Sequence, residues 1–167
     1  MPASQRTLAV TLGVSPKAGA RIDRRPGSLR LAPLPSASDA VVLFLGMLEH
    51  TPAAVFMLPD GATAHGEGRC VPRPGDCQAL ELPVGGESYV DVPNASGGTR
   101  ELRLTVPGTK IASWTRTRQA TEARERVSKA GLAIVRAAID RHDPALSYYR
   151  FSQRTGLLVR HKQPPKG

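Results

Sequence analysis

Long uninterrupted hydrophobic runs are missing from this sequence. The most apolar window, AVVLFLGMLEHTPAAVFML over residues 40–58, is cut by Glu49, His50, Thr51 and Pro52. That interruption excludes one continuous membrane-spanning helix and leaves two buried strands joined by a turn. The opening stretch, MPASQRTLAVTLGV, lacks the ordering of a signal peptide. Catalytic signatures are missing as well: there is no GxSxG and no HExxH, and the glycine-rich GGES of residues 85–88 is not followed by a helix that could hold a phosphate. No internal repeat is visible. The expectation is a non-catalytic protein with no cofactor and no metal.

Cysteine is scarce, and both copies, Cys70 and Cys77, lie in GATAHGEGRCVPRPGDCQALEL. A redox pair would be a CxxC beside a βαβ unit, and neither feature is present. The intervening VPRPGD has the prolines, glycine and aspartate of a chain reversal, so the two Cα atoms can come within disulfide reach. A ring this small stabilises by roughly 2–3 kcal/mol at most, enough to pin a loop rather than the fold. Zinc would need two further ligands, drawn from His65, Asp76 and His50, and a pair of inert reduced thiols is the remaining alternative. The His65-Gly-Glu67 triplet has half of a zinc-deaminase pattern without the other half, so both side chains are expected to be solvated loop residues.

Acidic residues are few: 14 against 23 basic ones, for a net charge of +9. The imbalance is local. Residues 1–33 carry six basic side chains and one acidic, whereas residues 34–114 carry five basic and nine acidic. Residues 115–149 are again basic, seven against four, and residues 150–167 hold five basic side chains and no acidic one. Basic ends around a mildly acidic centre suit anionic lipid, RNA or an acidic protein about equally.

What the sequence does have is turns and short strands. Sixteen Gly and fifteen Pro argue against long helices over most of the chain. TLAVTLGV (7–14) and SLRLAPL (28–34) are modest strand candidates, so residues 1–33 form either a basic arm or extra strands. LPSASD (34–39) opens the expected compact domain, residues 34–162, and residues 163–167 form a tail. AVVLFLGML (40–48) and AAVFML (53–58) are continuous apolar runs that predict an antiparallel hairpin. QALELPV (78–84), SYVDV (88–92) and TRELRLTVPG (99–108) alternate at period two, the signature of strands with one wet face. Residues 115–143 change to three- and four-residue spacing through Ala123, Val127, Ala130, Ile134 and Ala138, which predicts one long helix ended by Pro144. Acid-before-base pairs, Glu122 with Arg126 and Glu125 with Lys129, support it. LSYYRFS and GLLVRHK around QRTG predict a C-terminal hairpin. The fold class is therefore mainly β (α+β): a small antiparallel sandwich or barrel with a helix over about 115–142 and a C-terminal β-hairpin.

Aromatics and arginines interleave in YYRFSQRTGLLVRHK, and the helix adds further cations. Arg116, Arg118, Arg124, Arg126, Tyr149, Arg150, Arg154 and Arg160 form a candidate binding surface, able to stack and neutralise single-stranded nucleic acid. The plainer alternative for the hairpin is one aromatic face in the core and arginines in solvent.

Taken together, LPSASDAVVLFLG, then AAVFMLPDGATAHGEGRCVPRPGDCQALELPVGGESYVDV, then RVSKAGLAIVRAAI and YYRFSQRTGLLVR, are similar to a group of uncharacterised envelope proteins of high-GC Gram-positive bacteria associated with type IV pilus assembly components. The resemblance spans residues 34–162. It implies an extracytoplasmic, envelope-associated scaffold whose partners are other protein subunits, with membrane-surface contact through the basic arms. Family members carry an N-terminal membrane anchor, and residues 1–33 contain no such helix. The competing expectations are a cytoplasmic nucleic-acid-associated protein and a structural subunit of a larger assembly.

Overall fold

The computed structural model describes residues 2–161; the expected tail at 163–167 lies outside the described residues. Among the described residues there are twelve strands: β1 (Arg6–Ser15), β2 (Asp23–Arg25), β3 (Ala32–Pro35), β4 (Ala40–Met47), β5 (Ala53–Met57), β6 (Thr63–Gly66), β7 (Arg69–Arg73), β8 (Asp76–Pro83), β9 (Glu87–Pro93), β10 (Thr99–Ser113), β11 (Tyr149–Phe151) and β12 (Leu158–Arg160). The helices are α1 (Thr117–Glu125) and α2 (Lys129–Asp140), with 3-10 turns at Ala3–Gln5 and Pro144–Tyr148.

Two five-stranded antiparallel sheets make an open sandwich. The first has the order β2-β1-β10-β9-β6 and the second β3-β4-β5-β8-β7. The tight Val84-Gly85-Gly86 link between β8 and β9 carries the chain from one sheet to the other. Between the sheets lies a core of Val10, Leu12 and Val14 from β1, Phe44 and Phe56 from β4 and β5, Leu80 and Leu82 from β8, and Leu102, Leu104 and Val106 from β10. The two phenyl rings meet at 5.8 Å.

The second sheet is buried on both faces, which is why β4 and β5 are continuously apolar rather than alternating. Leu43, Leu45, Val55 and Met57 point the other way from Phe44 and Phe56, into a second core. Ala138, Ala145, Tyr148, Tyr149 and Leu158 cover them, drawn from α2, the 3-10 turn and the C-terminal hairpin. Residues 7–14 form a full strand of the first sheet, so this part of the N-terminal region supplies extra strands.

The expected long helix is two helices. Arg126 and Ser128 are both extended, with ψ near 127° and 126°. Val127 bridges Arg30, and the Ser128 amide donates to the Arg30 carbonyl at 2.9 Å. Ser128 Oγ then accepts from the Gly131 amide and starts α2 as its N-cap. Backbone pairing with the strand-leading segment outcompetes helical continuity, and Glu122 pairs with Arg118 at 3.3 Å rather than with Arg126. The C-terminal hairpin is present as β11 and β12 but is shorter than expected, because residues 144–148 wind into the 3-10 turn.

α2 sits unusually close to the sheet. A Cβ at Gly131 would overlap the Leu31 carbonyl, so only glycine admits this approach. Nearby, the Arg30 guanidinium lies 3.7 Å over the Phe151 ring and Nε donates to the Leu45 carbonyl at 3.2 Å. Burial lowers its pKa to about 10.

Candidate functional site

β1 and β10 outrun the second sheet. Val10, Leu12 and Val14 are buried, but Leu8, on the same face two residues earlier, is 40% exposed. Its cross-strand partner Ile111 is 66% exposed. This overhanging ribbon floors an open groove of about 770 Å³, walled by α1 and by the hairpin loop at residues 153–157. Arg6 and Arg154 stand exposed at its rim, and among the described residues Glu125 is the one acidic side chain in the lining. The Leu8–Ile111 pair was not singled out from the sequence; the signal for it was the apolar pair itself, set beyond the Leu102–Val106 alternation.

The arginine and tyrosine surface expected from the sequence does not assemble as one face. Arg116, Arg118, Arg126 and Arg150 are exposed and Arg154 lines the groove. Arg124 is buried: its guanidinium donates to the carbonyls of Arg6 at 3.0 Å and Ser4 at 3.3 Å, tying down the start of β1. Gly156 packs against its stem, where a Cβ would come within 2.7 Å of Arg124 Cγ.

Tyr149 and Arg160 turn inward onto Glu81, which is buried on the outer face of β8. The Tyr149 hydroxyl donates at 2.8 Å, and Arg160 donates through Nε at 3.0 Å and a terminal nitrogen at 2.5 Å. Burial, then the Glu81 charge, pushes the Tyr149 pKa well above the usual tyrosine range. The hydrogen bond to Glu81 raises that of Arg160. These groups stack the hairpin onto the sheet; Tyr149 is buried there, whereas Arg160 keeps part of its side chain in solvent.

Cys70 and Cys77 form a disulfide, with Cα atoms 4.8 Å apart, linking edge strand β7 to β8. They are thus not zinc ligands. His65 lies not in a loop but on β6, where its ring stacks on Tyr89 at 5.4 Å. Its Nε2 is 3.2 Å from Asp91 Oδ2 and 3.7 Å from Glu101 Oε2. Beside it, the Glu87 carboxylate accepts from Arg103 at 2.5 Å and from the Tyr89 hydroxyl at 2.6 Å. Those bonds hold Glu87 below the usual carboxylate range and raise the pKa of Tyr89. No helix among the described residues is long and apolar enough to cross a membrane.

Fold and surface together define a class: a disulfide-stapled antiparallel β-sandwich with a helix-and-hairpin cover and an open apolar groove. Comparison with protein-family models, with curated proteins and with solved structures found no match to this chain.

Proposed function

We propose that the chain is a non-catalytic binding module of the cell envelope, working in an oxidising compartment by contact with another protein subunit. The observation that carries it is the overhanging Leu8–Ile111 pair under an arginine rim. Exposed apolar surface in a concave, charged frame marks interaction sites. The Arg6 and Arg154 rim suits an acidic, amphipathic polypeptide segment as the occupant. The disulfide supports an extracytoplasmic place, since such bonds persist mainly in oxidising compartments. The resemblance to pilus-associated envelope proteins points the same way.

The partner docks on a face rather than adding a strand. Pro33 and Pro35 lie in edge strand β3, Pro72 in edge strand β7, and the other two edges are three and four residues long. Prolines and short edges are the usual protection against strand addition.

The test is affinity capture from an envelope extract with the oxidised chain as bait, run beside Ile111→Glu and Arg154→Glu. The expected result is an acidic polypeptide retained by the wild type and lost from both variants. Recovery of cytosolic nucleic acid alone would overturn the reading. So would free alkylation of Cys70 and Cys77 in acid-quenched source cells.

A further inference from the structure

We propose that His65, Asp91 and Glu101 bind one divalent transition-metal ion of the zinc class on the outer face of the first sheet. Strand register brings the three together. Asp91 on β9 is the cross-strand partner of Glu101 on β10 and of Thr63 on β6. His65, two residues after Thr63, shares its face and reaches diagonally over Asp91. One donor atom from each residue lies within 4.8 Å of the other two. An ion with metal–ligand bonds of about 2.0–2.2 Å needs donors roughly 3.3–3.5 Å apart, so small side-chain rotations close the set.

Three features favour a metal over an ordinary surface ion pair. The imidazole plane is fixed by the Tyr89 ring, 13° from parallel, with Nε2 turned to both carboxylates. The donors come from three adjacent strands, so the scaffold is rigid. The neighbouring cation, Arg103, is held by Glu87 and does not occupy the site. A neutral imidazole with two carboxylates carries two negative charges, which a divalent ion neutralises. An imidazole nitrogen among oxygens suits zinc-class ions better than calcium or magnesium. Three protein donors leave a coordination position open to water. The ion would tie edge strand β6 to β9 and β10. This inference does not depend on the groove or on where the protein resides.

Zinc chloride titrated calorimetrically into the untagged, oxidised, chelator-stripped chain tests it. The expected result is one ion per chain, weakened by about tenfold or more in His65→Ala and in Asp91→Asn. A variant with His50, His142 and His161 all changed to Ala should retain the site, and calcium chloride should not compete. His65 and Asp91 are both partly exposed, so metal-free thermal melts should show these variants folded. Absence of binding to the folded wild type, or binding that survives His65→Ala, would overturn the proposal.

Discussion

Two glutamate–arginine–tyrosine clusters occupy this sandwich, one on the outer face of each sheet. Glu81 with Arg160 and Tyr149 lies on the second; Glu87 with Arg103 and Tyr89 lies on the first. Both arginine–carboxylate contacts are 2.5 Å, and both arginines are 41% exposed. The carboxylates differ: Glu81 keeps 3% of its side chain in contact with solvent and Glu87 keeps 32%. The hairpin lies over one and water over the other. Identical chemistry therefore serves opposite ends: on the covered sheet it fastens a layer, and on the wet sheet it is a charge ladder that leaves the face open.

Arg160→Met is the sharpest way to break that contrast. It strands a buried carboxylate beneath the hairpin, and losing one partner of a buried pair costs about 3–5 kcal/mol. Urea denaturation should show this, whereas Glu81→Leu combined with Arg160→Met should recover most of the loss. A small effect of the single change would mean the hairpin lifts readily and that the second sheet is not truly double-faced.

Gly131→Ala probes the other half of the cover. Helix propensity alone favours alanine by about 1 kcal/mol. The overlap with the Leu31 carbonyl reverses the sign, and forcing α2 outward should cost about 3 kcal/mol by the same denaturation assay. A stabilised variant would show that α2 is free to shift.

The Tyr149 hydroxyl gives the covered cluster a pH signature. Its folded pKa is raised while the unfolded chain releases this proton at an ordinary tyrosine value. Above about pH 10 the folded state thus holds a proton that the unfolded state has lost, and stability falls by up to about 1.4 kcal/mol per pH unit from this group. Below that pH the contribution is fully present. Urea midpoints measured across pH 9–11 should fall less steeply in Tyr149→Phe than in the wild type; parallel slopes would refute the assignment.

The difference between the two sheets was partly legible in the sequence. Continuous apolarity in β4 and β5 requires two covered faces, and the alternation of Leu102, Leu104 and Val106 requires one. The turn residues between Cys70 and Cys77 made a disulfide possible, beside zinc and free thiols, and the structure has the disulfide. Glu81 was not legible: in QALELPV it takes the place of a solvent-facing residue, and the hairpin that buries it comes some seventy positions later. Nor was the helix break, because the competitor to helical hydrogen bonding is the Arg30 carbonyl, almost a hundred residues upstream. The cation site and the groove are equally long-range. His65, Asp91 and Glu101 meet through register alone, and Ile111 becomes a floor only because β10 outruns the sheet opposite.

Arg103→Met is the smallest change expected and completes the comparison. It removes the same kind of contact as Arg160→Met, yet Glu87 is then reached by water rather than sealed beneath protein, so no buried charge is left behind. Arg103 also carries a buried Nε with no hydrogen-bond partner, a desolvation cost that the substitution relieves. The urea midpoint should fall within the scatter of ordinary surface substitutions. What should change is local: Tyr89 loses the cation beside its carboxylate partner, and the face around His65 becomes more negative. Zinc binding at His65, Asp91 and Glu101 should then hold or tighten while stability stays level. A loss of stability as large as that of Arg160→Met would show that burial of the carboxylate is not what separates the two clusters.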